Sequence, residues 1–193
     1  MLGIGKKFPE FNLKGVTGTD VKTAFSDIHN KTYEGKWLVL FSYPKDFTFV
    51  CPTEIKGFGD LNKDFKDRDT QVLTFSTDSE FVHLAWKQSH KDLTNLPFPM
   101  LSDIKRELST NLGILDDQEG VAQRAALKGG IELYFPIPAG LPLQGDNVSM
   151  ATLNAFLASL FNAVEARRTG AAYGHLFVTA TCHGNCHGSR GRR

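Results

Sequence analysis

The feature that most constrains the fold of this 193-residue chain is a handover between two kinds of residue pattern. Lys36 to Tyr43 reads Lys-Trp-Leu-Val-Leu-Phe-Ser-Tyr, almost without a polar break. A strand with one wet face alternates apolar and polar residues; this run does not, so it is expected to be a central strand buried on both faces. From about Thr53 to Asp67, Ile55, Phe58, Leu61 and Phe65 recur at helical spacing and make one apolar face. Between the two lies Pro44-Lys-Asp-Phe-Thr-Phe-Val-Cys-Pro-Thr-Glu54, which sets Cys51 where a buried strand gives way to the first turn of a helix. Backbone N–H groups at a helix start lack intrahelical partners and favour negative charge, so a thiol there is expected to ionise more readily than a free one. Thr48, three residues earlier, offers a hydroxyl, and Pro44 fixes the mouth of the loop and shields it from water. These are the parts of a thiolate nucleophile site; the plainer alternative is a buried structural cysteine.

The rest of the first two thirds alternates strand and helix. Residues 1–30 read as short strands, with Phe8, Phe11 and Leu13 to cover a sheet edge and turns at Gly15, Gly18 and Asp20. Val21 to Lys31 fits either a loop or a short helix. Gln71 to Ser76 is a second buried strand, and Thr77-Asp78-Ser79 suits the N-cap of a helix over about Glu80 to His90. Phe81, Leu84, Ala85 and Trp86 are the apolar side of that helix. Asn95 to Leu101 is extended because its prolines exclude a helix. Asp103 opens a further helix with Ile104, Leu108 and Leu112 spaced by four, and Gly113 stands at its end. Such alternation implies an α/β layer architecture with crossover connections.

Size and charge narrow the function. The length suits one domain with a substantial core. A net charge of +1 gives no reason to expect nucleic acid or an anionic membrane as a partner. No run is long enough to span a membrane, and Met1 to Glu10 lacks the apolar stretch of a signal peptide, so a cytoplasmic protein is expected. Three cysteines are an uneven count, better suited to reactive thiols than to a disulfide framework.

The pattern Pro44-x-x-x-Thr48-x-x-Cys51 within Phe47-Thr-Phe-Val-Cys-Pro-Thr-Glu54 resembles the active-site signature of the peroxiredoxins, most closely their typical two-cysteine, alkyl hydroperoxide reductase C-like branch. The resemblance runs from about Gly3 to Arg124. Gly120-Val-Ala-Gln-Arg124 extends it, because the family carries an arginine here that approaches the reactive cysteine. A guanidinium beside Cys51 would stabilise the thiolate and donate to both oxygens of a peroxide. The resemblance implies a thioredoxin-like fold with a central mixed sheet flanked by helices. It also implies a thiol peroxidase with Cys51, Thr48, Pro44 and Arg124 as its catalytic set. Hydrogen peroxide or an organic hydroperoxide would oxidise Cys51 to a sulfenic acid, a second thiol would form a disulfide, and an external thiol reductant would restore both. No metal, haem or flavin is implied, and a homodimer, which in relatives closes into a decamer, is. Glu54 is given a supporting role at most. His83 and His90, seven apart within a helix, read as surface or edge residues rather than metal ligands, and Trp86 as packing.

The likeness breaks after Ala125. The family would continue with an apolar strand, whereas this chain reads Ala126-Leu-Lys-Gly-Gly-Ile-Glu-Leu-Tyr-Phe-Pro. Ile131, Leu133 and Phe135 alternate with polar or half-polar residues, which allows a short strand, and Pro136, Pro138 and Pro142 prevent a long central one. A sheet neighbour of the cysteine-bearing strand is therefore expected to be weakened or missing. Ser149 to Arg168 has a helical apolar face, and the end is rich in Gly and Arg. The organisation expected is a core over residues 1–125, a divergent completion over 126–170 and a flexible tail over 171–193. Cys182 and Cys186 are the two candidates for the resolving thiol, with zinc binding and covalent haem attachment as weaker readings of Cys-His-Gly-Asn-Cys-His. If neither cysteine resolves the sulfenic acid, the alternatives are a one-cysteine peroxidase, a redox sensor or a chaperone-like oligomer.

Overall fold

The structure is a computed structural model that describes residues 8–126 in full, with 127–129 and 133–136 as backbone. The helix expected over 149–168, the tail and both candidate resolving cysteines lie outside the described residues. Nine strands and four α-helices are described: β1 Asn12–Val16, β2 Phe25–His29, β3 Trp37–Ser42, α1 Cys51–Asp60, α2 Asn62–Lys66, β4 Thr70–Ser76, α3 Glu80–Ser89, β5 Met100–Ser102, α4 Glu107–Leu112, β6 Leu115–Asp116, β7 Val121–Ala122, β8 Ala125–Gly129 and β9 Leu133–Pro136.

Seven of the strands make one mixed sheet in the order β2-β1-β5-β4-β3-β8-β9. β3, β4 and β5 run parallel, as strands joined by crossover helices must, and the outer pairings are antiparallel. This is the thioredoxin-like arrangement, a mixed sheet flanked by helices.

β3 shows why its sequence lacks polar breaks. Val39, Phe41 and Tyr43 pack into one apolar cluster with Ile55 and Phe58 of α1, Phe65 of α2 and Trp86 of α3. Leu40 faces the other way, into a second cluster with Leu73, Phe75, Leu101 and the α4 residues Leu108 and Leu112. Successive side chains of a strand point to opposite faces, so a strand with helices on both sides must be apolar at every position. The Phe41 and Phe58 rings stack at 4.0 Å with an 8° tilt, tying α1 to β3.

Several expectations change in detail. Val21 to Lys31, read as loop or helix, is mostly β2 and a following 3-10 turn at Asn30–Tyr33; β2 registers antiparallel on β1 from Asn12 opposite His29 to Val16 opposite Phe25. The single helix expected over 53–67 is two, because the chain turns at Leu61 between α1 and α2. α4 begins four residues later than Asp103. Asp103 instead accepts hydrogen bonds from the Leu108 and Ser109 N–H groups while Arg106 takes a left-handed conformation, so Ile104 is exposed rather than aligned with Leu108. On α3, Leu84 and Trp86 are buried, but Phe81 and Ala85 are exposed. His83 is fully buried, not at the surface. The neighbour expected to be weakened or missing beside β3 is present: β8 pairs with it antiparallel from Leu38 opposite Gly129 to Ser42 opposite Ala125. Pro136 ends β9, which lies at the sheet edge where a missing N–H costs no ladder bond.

Lys87 on α3 is the one fully buried lysine among the described residues, and its Nζ has no hydrogen-bond partner there. Burial lowers its pKa to about 8. The unfolded chain holds that proton up to the ordinary lysine range, so unfolding takes up a proton between about pH 8 and that range and stability rises with pH across the window. Lys87→Met is expected to raise the thermal unfolding midpoint at neutral pH, and its advantage over the wild type should shrink as pH climbs above 8, as differential scanning calorimetry across pH would read.

Candidate active site

Cys51 is the first residue of α1, and Val50, its N-cap, supplies no side-chain hydrogen bond. Pro52 at the second position has no N–H to give and a φ already suited to a helix. The Thr53 and Glu54 N–H groups turn back to the Val50 carbonyl, which leaves the Cys51 N–H as the first-turn donor beside the thiol, and Cys51 is 1% exposed. The strand-to-helix handover delivers the thiol where the sequence pattern put it.

Arg124 comes from the other side. Ser42, at the end of β3, donates its hydroxyl to the Gln123 carbonyl at 2.6 Å and accepts the Ala125 N–H at 3.1 Å. These two bonds straddle Arg124 and fix it against the strand that leads to the cysteine. Its Nη2 lies 3.4 Å from Cys51 Sγ, and its Nε donates to Glu54 Oε2 at 3.0 Å. Glu54 sits one turn into α1 from Cys51, so cysteine, arginine and glutamate form a compact chain of charge across 70 residues of sequence.

The electrostatics correct one expectation. The Cys51 thiol lies above its ordinary range: burial pushes it up, the Thr48 hydroxyl and the Arg124 guanidinium draw it down, and the Glu54 carboxylate pushes it up again. The readier ionisation expected from a helix start and an arginine is outweighed by desolvation in the closed site. Burial likewise raises Glu54, which Arg124 holds back. The guanidinium divides its charge between a carboxylate and a sulfur.

Thr48 and Pro44 belong to the connecting turn. Thr48 Oγ1 is 3.2 Å from the Lys45 carbonyl, and its single proton serves either that oxygen or the thiolate. Pro44 follows Tyr43 directly and is half-buried. Phe47 takes a left-handed φ of 55°, a conformation costing about 1–3 kcal/mol for a residue with a side chain. Its ring, 58% exposed, leans on Trp86 at 5.9 Å, and Phe49 is 98% exposed. Trp86, read as packing, is both packing and the floor of this turn.

Sequence reasoning missed the polar groups that hold the turn. Asp46 is buried, with Oδ1 accepting from the Tyr43 hydroxyl at 2.7 Å and Oδ2 lying 2.7 Å from His83 Nδ1. The spacing of Tyr43 and Asp46 around Pro44 was a local clue, but nothing local connects either to a histidine 37 residues away. Ser42 carried no signal beyond being the one hydroxyl in an apolar strand. Among the described residues no group of three or more His, Cys, Asp or Glu is placed to hold a metal ion, and no described helix is long and apolar enough to cross a membrane.

A thioredoxin-like sheet that presents a buried thiol at a helix start, beside an arginine, defines a thiol-based redox enzyme. Comparison with known proteins agrees. The family model described as AhpC/TSA matches residues 4–127. Alkyl hydroperoxide reductase C of Mycolicibacterium smegmatis is 52% identical over 133 residues, which are 65% of this chain and 68% of that protein. Peroxiredoxin-2 of Mus musculus is 45% identical over 124 residues, 63% of this chain and 61% of its own length. Among solved structures, Mycobacterium bovis AhpC superposes with a TM-score of 0.72 at 37% identity, covering 92% of this chain and 99% of that one. Enterococcus faecalis AhpC gives 0.75 at 26% identity, with 91% and 100% covered. The chain belongs to the AhpC/TSA family, and it is a peroxidase of the peroxiredoxin type, an oxidoreductase. The peroxidase is favoured over the sensor or chaperone-like alternative.

The charge chain gives opposite signs for its two ends. Glu54→Gln keeps an acceptor for Arg124 and removes the negative charge that disfavours the thiolate, so the Cys51 pKa is expected to fall. Arg124→Met removes the favourable charge, so the pKa should rise. The pH dependence of iodoacetamide labelling at Cys51, read peptide by peptide, measures both shifts.

Proposed function

We propose that Cys51 is the peroxidatic nucleophile and that Arg124 and Thr48 are its catalytic partners. The observation that carries this reading is the 3.4 Å approach of Arg124 Nη2 to Cys51 Sγ at the first turn of α1. A peroxide entering beside the thiol meets a cationic donor, a hydroxyl and the Cys51 backbone N–H, since Pro52 has none and those of Thr53 and Glu54 reach the Val50 carbonyl. Such donors stabilise charge where it develops on the departing oxygen.

The step is a two-electron displacement. Arg124 and the helix start favour the ionised sulfur once the thiol gives up its proton. The thiolate attacks the terminal peroxide oxygen, an S–O bond forms and the O–O bond breaks. The departing alkoxide or hydroxide takes a proton and leaves as alcohol or water, and Cys51 is left as a sulfenic acid. Thr48, with one proton to direct, turns it from the Lys45 carbonyl to the reacting sulfur or peroxide oxygen. Pro44 limits the water that reaches the site.

Recycling needs a second thiol. Cys182 or Cys186, supplied by a homodimer partner, attacks the sulfenic acid, releasing water and forming a disulfide, and an external dithiol reductant reduces that bond while being oxidised itself. Hydrogen peroxide and organic hydroperoxides are the substrate class. A thiol that must be re-reduced every cycle suits a reducing compartment, so this reading puts the enzyme in the cytoplasm.

Purified protein is expected to consume peroxide with dithiothreitol as reductant, and a folded Cys51→Ser variant to show none above background. Activity retained in that variant would overturn the assignment. After one equivalent of peroxide, peptide mass spectrometry should find Cys51 joined to Cys182 or Cys186; accumulation of Cys51 sulfenic or sulfinic acid instead would remove both from the resolving role.

A further inference from the structure

The turn that carries Thr48 and Cys51 is gripped from beneath by a closed set of buried polar groups. Asp46 lies in its middle. The backbone N–H of Asp46 donates to Asp78 Oδ2 at 2.8 Å, its Oδ1 accepts from the Tyr43 hydroxyl at 2.7 Å, and its Oδ2 is 2.7 Å from His83 Nδ1. The other ring nitrogen of His83, Nε2, is 3.0 Å from the Leu101 carbonyl of β5. Side-chain exposure is 0% for His83 and 1% for Asp46.

The protons in this set can be counted. A backbone carbonyl only accepts, so Nε2 carries a hydrogen. Burial, followed by the charge of Asp46, holds the Tyr43 hydroxyl well above its usual range, and its one proton is directed at Asp46 Oδ1. What remains is His83 Nδ1 facing Asp46 Oδ2 at 2.7 Å, a distance that two bare acceptors in a buried site do not keep. A proton lies between them. The carboxylate already accepts a hydrogen bond from Tyr43, which favours its ionised form and leaves the proton on the ring.

We infer that His83 is a positioning residue of the peroxidase: a buried imidazolium whose ion pair with Asp46 fixes the turn bearing Thr48 and Cys51. The functional half of this inference rests on Cys51 being the nucleophile; the protonation state of the pair does not. The groups around the pair are Tyr43 at the end of β3, Asp78 after β4, the Leu101 carbonyl of β5 and Lys87, one turn further along α3. Asp78 is itself fixed, accepting from Ser76 Oγ at 3.1 Å. A buried ion pair adds little net stability against an apolar substitute, but it demands one geometry, and removal of one partner leaves the other charge uncompensated. Here that geometry anchors α3, β5 and the cysteine turn to one another.

The test uses the reduced full-length protein. Nitrogen-15 spectra of the His83 ring at neutral pH are expected to show both nitrogens protonated. In Asp46→Asn the new amide can donate to Nδ1 and accept from Tyr43, so the ring should become neutral, with a proton on Nε2 alone. His83→Phe, if it folds, should slow Cys51 oxidation by about 10–100-fold, as displacement of a reacting group does. An unprotonated Nδ1 in the wild type overturns the imidazolium. A folded His83→Phe oxidised at the wild-type rate overturns the positioning role. Failure of the Cys51→Ser test alone would leave the spectra unaffected, so the two readings fail separately.

Discussion

Burial of β3 on both faces is the constraint on which the rest of the molecule depends. A strand covered by helices on each side has no freedom of register, because slipping by one residue would exchange the side chains that feed the two apolar clusters. Its end is therefore fixed in space. From that end the chain sends out the cysteine turn, and Ser42, its last residue, grips the backbone on either side of Arg124. Both halves of the site hang from one rigid point, which is how a thiol and an arginine 73 residues apart reach 3.4 Å without a dedicated scaffold of their own.

The electrostatic design is a balance rather than a simple activation. Desolvation of Cys51 disfavours the thiolate, and the arginine that would reverse this is partly engaged by Glu54. Such a site holds its thiol in check. On the function proposed above, a bound peroxide would present its oxygens to the same guanidinium and hydroxyl, so that the donors serve the transition state where charge moves. Strain at Phe47 belongs to the same turn, braced by Trp86 on one side and by the Asp46–His83 pair beneath.

Much of this was legible in the sequence, and the exceptions have physical reasons. The uninterrupted apolar run of β3, the helical spacing after Cys51 and the motif around it gave the fold class, the placement of the thiol and its arginine. Helix limits were less legible: α1 and α2 break at Leu61, and the late start of α4 depends on Asp103 capping from a distance, neither of which spacing alone encodes. His83 read as a surface residue because histidine within a mixed helix normally is; its burial depends on Asp46 and the Leu101 carbonyl, partners remote in sequence. The weakened sheet expected beyond Ala125 was inferred from composition, yet β8 makes its ladder through backbone groups that composition does not constrain. The thiol's raised pKa was missed because desolvation cannot be read from a motif.

The order of the parts along the chain has a consequence for how the protein can diversify. Every charged or hydroxyl-bearing group found around the sulfur, from Thr48 through Glu54 to Arg124, is in place before β8 begins. The match to the family model also ends close by, at residue 127. These groups are thus encoded in one stretch that ends at the first residues of β8, where Ala125 and Ala126 still pack into the two apolar clusters. Changes of sequence beyond Ala126 leave every one of these described groups in the chain, so selection there can act separately from selection on the immediate surroundings of the thiol.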